Sequence, residues 1–133
     1  MVNLLSVLVA AIASFIIGWL WYSNFMFEKT WMGLMQVKKT DMKGMKDKMM
    51  KSMVFGFLST LVAAFVLAVL IELTNSTTAM VGAQLGILVW LGFIATTSLG
   101  AVLWESRPLK LYLLNNLHSL LVYAVMGAII AIM

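Results

Sequence analysis

Apolar side chains fall in four long, nearly unbroken runs, at residues 4–27, 52–71, 79–103 and 109–133, with most charged residues gathered between them. A hydrocarbon core about 30 Å thick takes roughly 20 helical residues to cross, and each run reaches that length. The runs are continuously apolar rather than alternating, and in lipid only helices or closed barrels satisfy the backbone. The pattern predicts an all-α, polytopic integral membrane protein, a single membrane domain of four transmembrane helices.

Composition agrees. Mean hydropathy is +1.03 and 63% of the residues are hydrophobic, against roughly half in a soluble domain. So small a chain buries too little of its surface to hide this apolar area from water. There is no cysteine, which excludes disulfides, thiolate catalysis and Cys-ligated metal centres. The sequence pI of 9.6 suits nucleic acid, but the lysines lie beside the apolar runs. Their expected partner is an anionic membrane leaflet, with no nucleic acid involved.

Sorting the charges by connector sets an orientation. Seven of the nine Lys/Arg lie in the basic connector 28–51: Lys29, Lys38, Lys39, Lys43, Lys46, Lys48 and Lys51. Arg107 and Lys110 lie beside the third connector, and residues 72–78 carry neither Lys nor Arg. Four spans put all nine on one side. By the positive-inside rule that side is cytoplasmic, with both termini outside, and a bacterial cytoplasmic membrane is the expected location. Residues 1–13 lack the basic start of a signal peptide and run on into apolar sequence, so an uncleaved first span is expected. Asn75-Ser76-Thr77 matches a glycosylation sequon and is read as a chance triplet in a tight outer loop.

Within the connector Met42, Met45, Met49 and Met53 recur at helical spacing. This predicts a short amphipathic interfacial helix, capped by Thr40 or Asp41, between the first two spans. Lys38, Lys39, Lys43, Lys46, Lys48 and Lys51 would contact lipid headgroups, each worth about 1 kcal/mol at an anionic surface. Their plainer role is a topological anchor.

Small residues allow close helix approach in lipid, where little hydrophobic force draws helices together. Ala10, Ser14 and Gly18, and Gly82 with Gly86, are therefore the expected packing positions, within a chain or between copies in a homo-oligomer. Trp19, Trp21, Trp31 and Trp104 suit an aromatic belt. Trp90 reads as core, with Gly92 making room for a neighbour. Thr96, Thr97 and Ser98 are expected to bond back to their own helix. The echo of Trp21-Tyr22-Ser23 in Trp104-Glu105-Ser106 is too short to establish a repeat.

Polar residues converge at the basic end. Tyr22, Asn24, Glu105, Arg107, Asn115 and His118 form a candidate cluster, with Asn115 and His118 on one helix face. Intramembrane polar groups are functional-site candidates, and a histidine there is able to shuttle protons or pair with Glu105. The plainer reading is interhelical glue, with Glu105 and Arg107 a solvated loop pair. No catalytic or metal-binding motif and no cofactor signature stands out.

These residues carry a resemblance. Gly18-x-x-Trp21-Tyr22-Ser23, Trp31, Trp90-Leu91-Gly92-Phe93, Trp104-Glu105-x-Arg107-Pro108-Leu109 and His118 resemble the bacterial and fungal membrane family catalogued as domain of unknown function seventeen sixty-one. The similarity runs over nearly the whole chain. It implies a small multi-span membrane protein and brings no activity with it; the methionine-rich connector is not expected of the family pattern. The first expectation for function is a non-enzymatic accessory or lipid/partner-binding protein. The alternative is a small-solute or proton-coupled transporter or channel using the polar cluster. A membrane enzyme acting on lipid headgroups ranks last, because it rests on one His and one Glu.

Overall fold

A computed structural model describes residues 2–23, 26–35 and 46–133, with only the backbone described at residues 46, 47 and 49. Among the described residues every regular element is helical. We number them α1 (Leu4–Trp21), α2 (Glu28–Met35), α3 (Lys46–Leu73), α4 (Ala79–Leu103) and α5 (Leu109–Ile132). Four are long and apolar enough to cross a membrane: α1, α3 from Met50 onward, α4 and α5.

The ends of these helices follow from local chemistry. The Asn3 side chain accepts from the N–H groups of Leu5 and Ser6 at 3.0 and 3.4 Å, satisfying donors that a first turn leaves open. Asn3 Nδ2 also donates to the Met133 carbonyl at 3.3 Å, which joins the start of α1 to the end of α5. α1 stops at Trp21, short of residue 27. There Ser23 Oγ donates to the Leu20 carbonyl at 2.6 Å and Phe27 N–H to the Trp21 carbonyl at 3.1 Å, so the chain turns into α2. α3 closes in a Schellman motif: Asn75 is left-handed at φ 52°, Asn75 N–H reaches Glu72 O at 3.1 Å, and Ser76 N–H reaches Ile71 O at 3.0 Å. Thr78 caps α4 through Val81 N–H at 3.2 Å.

The short helix between the first two spans lies at Glu28–Met35, ahead of the methionine-spaced segment. That segment's Thr40, Asp41, Met42 and Met45 lie outside the described residues. From Lys46 onward it forms the first turns of α3 without a break.

α5 is the hub. It packs most extensively on α4, then on α1 and α3, while α3 also packs on α1. The α4–α5 contact is backbone on backbone. A Cβ added at Gly82 would fall 2.2 Å from Gly127 O, at Gly86 2.1 Å from Tyr123 O, and at Gly127 2.1 Å from Gly82 O. Only hydrogen fits at these positions, so the Gly82/Gly86 pair is used inside the chain. On α1, Ala10 and Ser14 are buried, and Ala10 joins Val7, Ala64, Leu67, Ala68, Val122 and Met126 in one core.

The outward faces are apolar stripes at four-residue spacing: Leu8, Ile12, Ile16 and Leu20 on α1, and Leu113, Leu117 and Leu121 on α5, all exposed. Apolar patches this large are a liability in water; hydrocarbon solvates them. The fold is that of a polytopic membrane protein.

α4 contains a π-helical turn at Trp90–Ala95. Beyond it the Leu99 N–H is directed to Thr97 O. The Ala95 carbonyl accepts instead from the Tyr112 hydroxyl of α5 at 2.6 Å, which meets the demand that backbone groups in lipid be satisfied. Trp90, expected in the core, is only half-buried, and Gly92 is exposed, where a Cβ would meet nothing within 4 Å. Gly92 makes no room for a neighbouring helix: six residues past Gly86, it has rotated away from the α5-facing side.

Candidate functional site

The last turn of α1 carries Gly18, Trp21 and Tyr22 against the face of α5 that presents Asn115 and His118. The Tyr22 hydroxyl donates to Asn115 Oδ1 at 2.6 Å. The His118 ring packs against Tyr22, centroids 5.2 Å apart, and against Trp21 at 6.1 Å. Outer rings support these: Phe27 lies 4.6 Å from Trp21, and Trp31 of α2 meets Tyr22 edge-on at 6.1 Å. A Cβ at Gly18 would stand 3.3 Å from His118 Nε2. The glycine therefore lets the imidazole seat against the backbone of α1.

Two polar atoms in this cluster are buried without a hydrogen-bond partner among the described residues, His118 Nε2 and Trp21 Nε1. The indole nitrogen is a donor only, whereas an imidazole nitrogen donates or accepts according to tautomer. The cluster thus holds unspent hydrogen-bonding capacity inside a ring of aromatic walls. Trp90 Nε1 on α4 is buried in the same way.

A second network ties α5 to α4. Asn116 is 6% exposed; its Nδ2 donates to Tyr112 O at 2.9 Å and its Oδ1 stands 3.0 Å from Ser98 Oγ. Ser98 also bonds back to Ile94 O at 2.5 Å and Thr96 to Gly92 O at 2.8 Å, while Thr97 bonds to Phe93 O. These are the expected within-helix bonds, with one hydroxyl reaching further. Consecutive residues of α5 therefore face different neighbours, Asn115 toward α1 and Asn116 toward α4. Asn116 escaped the sequence reading because the pattern does not say which of two adjacent asparagines is buried.

Of the six residues expected to cluster, the structure brings together Tyr22, Asn115 and His118. Glu105 and Arg107 stand apart, exposed in the turn between α4 and α5. With Ser106 and the α2 residues Leu34 and Met35 they line a polar cleft. The expected Glu105–His118 pair is not made: Glu105 precedes the first turn of α5, and His118 lies about 14 Å along it at 1.5 Å per residue. Asn24 lies outside the described residues.

Trp19 and Trp104 are 74% and 86% exposed, as a belt requires. Trp21 and Trp31 are instead packed into the ring cluster. Lys48 and Lys51 are exposed on the first turns of α3. Lys38, Lys39 and Lys43 lie outside the described residues, as does the side chain of Lys46. No group of three or more His, Asp or Glu that would hold a metal occurs among the described residues.

The fold and this cluster define a class: a small four-helix membrane protein with a histidine seated among aromatic rings at one end of the bundle. Residues 5–131 match the family model described as "Protein of unknown function (DUF1761)". The chain belongs to that family, as the tryptophan, Arg107-Pro108 and His118 motifs suggested. No curated protein and no solved structure matches it.

Proposed function

We propose that this protein is a non-enzymatic membrane accessory protein that binds lipid or a partner at the end of the bundle carrying its basic residues. One observation supports this most directly. The basic side chains among the described residues, Lys29, Lys48, Lys51, Arg107 and Lys110, are all exposed, on the first turns of α2, α3 and α5 and in the α4–α5 turn, whereas the exposed charge described at the other end is the acidic Glu72. The core beyond them is apolar and closed, with Ala10, Ala64, Leu67 and Met126 at most 1% exposed. In this reading the basic end faces the anionic inner leaflet of a bacterial cytoplasmic membrane, both termini lie outside, and a second copy of the chain is among the partners. The test is binding of the purified protein to vesicles containing anionic phosphatidylglycerol against purely zwitterionic vesicles. Enrichment on the anionic vesicles that falls in Lys48→Gln/Lys51→Gln supports the proposal; equal binding with no change in the variant removes it.

The unpartnered His118 Nε2 favours a second reading, movement of a small solute or proton through the aromatic cluster. Flux in proteoliposomes, with His118→Ala as the comparison, distinguishes the two. Equal flux in the variant takes His118 out of any such mechanism.

A further inference from the structure

The geometry points to a headgroup site in the α4–α5 turn for a phospholipid that carries both a phosphate and a primary ammonium, the ethanolamine class. The cleft there is lined by Leu34 and Met35 on one wall and Glu105, Ser106 and Arg107 on the other. It lies between the last residue of one span, Leu103, and the first of the next, Leu109, which is headgroup depth.

Its two charges are of opposite sign. Glu105 and Arg107 stand two residues from each other, yet neither side chain forms an ion pair or hydrogen bond with any described residue. The backbone of the turn is ordered. Ser106 is left-handed at φ 56°, a conformation unfavourable for a residue with a Cβ. The Arg107 N–H is tied back to Ala101 O at 3.0 Å, and Pro108 locks the next φ at −61°. The turn therefore presents an exposed acid and an exposed guanidinium side by side on an ordered backbone.

Charge complementarity selects the ligand. The planar guanidinium fork of Arg107 suits phosphate oxygens, and Lys110, exposed on the first turn of α5, adds positive charge nearby. The Glu105 carboxylate accepts hydrogen bonds, and a primary ammonium brings three donors. A choline headgroup has no N–H to give it, and a purely anionic headgroup meets its repulsion. Leu103, Trp104 and Leu109 expose apolar surface on both flanks of the turn, where acyl chains would lie.

This inference rests on the lipid-binding reading but uses different residues from the lysines of α3, so the two fail separately. The experiment is native mass spectrometry of the full chain with equimolar phosphatidylethanolamine, phosphatidylcholine and phosphatidylglycerol of identical acyl chains. The expected result is ethanolamine-lipid adducts several-fold above the choline lipid. Glu105→Gln should reduce that ratio to about one, and Arg107→Gln should weaken adducts of all three lipids. Lys48→Gln/Lys51→Gln should leave the ethanolamine preference intact while lowering phosphatidylglycerol. Equal ethanolamine and choline adducts in the unaltered protein, or a preference that survives Glu105→Gln, would overturn the site. Loss of phosphatidylglycerol sensitivity alone bears on the basic-end reading and not on this one.

Discussion

The Tyr22 hydroxyl and the Asn115 carboxamide, 93 positions apart in sequence, meet at 2.6 Å and join the end of α1 to α5 beside the His118 ring. In lipid the apolar effect does little to hold these helices together, so the bond, the ring contacts around it and the fit of small residues carry the junction. A double-mutant cycle of Tyr22→Phe and Asn115→Ala, read by reversible unfolding in detergent, should give a coupling of about 0.6 kcal/mol and at most about 1.7 kcal/mol, the average and the upper end for interhelical hydrogen bonds in membranes. Strict additivity would mean that the pair contributes nothing.

Gly86 and Gly92 make opposite predictions on the same helix. Ala at position 86 drives its Cβ into Tyr123 O, so Gly86→Ala should separate α4 from α5 and cost about 1–3 kcal/mol. Ala at position 92 points into open space and should be neutral or favourable by up to about 1 kcal/mol from helix propensity. Thermal inactivation or steric trapping of the two variants checks both signs.

His118→Phe separates packing from function. Replacing a buried nitrogen that lacks a partner by an apolar ring of similar shape should leave unfolding stability unchanged or slightly raised. A loss of more than about 1 kcal/mol would show either that Nε2 has a partner that matters to the fold or that the larger ring is overpacked against Gly18.

Asn116→Leu should behave in the opposite way. Asn116 is buried and engaged with both Tyr112 O and Ser98 Oγ, and its loss leaves Ser98 without that contact. Ser98 keeps its bond to Ile94 O, so a destabilisation of about 0.5–1.5 kcal/mol is expected, with Ser98→Ala in the Asn116→Leu background adding little beyond it. Independent, additive losses would argue against one network.

Much of this architecture is legible in the residues themselves, because lipid imposes length and polarity rules that a run of side chains displays directly. The four crossings and the inward set Ala10 and Ser14 follow from run length and four-residue spacing. Gly82 and Gly86 are legible as a contact, though not that their partners are Gly127 and Tyr123. The register of α4 past Trp90 is not legible, because a π turn leaves no mark in composition and its freed carbonyl is met by Tyr112, 17 residues away. The polar cluster divides in two for a reason of depth: Glu105 and Arg107 stay in the turn, while Asn115 and His118 lie turns deeper along α5. Trp21 and Trp31 look like belt residues by type, and only the three-dimensional path sets Trp21 against the His118 ring and Trp31 against Tyr22.

The central proposal, four crossings with the described Lys and Arg residues at one, inner end, is tested most directly by single-cysteine accessibility in a chain that has no cysteine of its own. Lys48→Cys, Glu105→Cys and Thr77→Cys are treated in intact bacterial cells with a membrane-impermeant maleimide, then again after permeabilisation. The account predicts immediate labelling at position 77, with positions 48 and 105 labelled only after permeabilisation. Labelling of position 48 in intact cells, or positions 48 and 105 reacting from opposite sides, would contradict it.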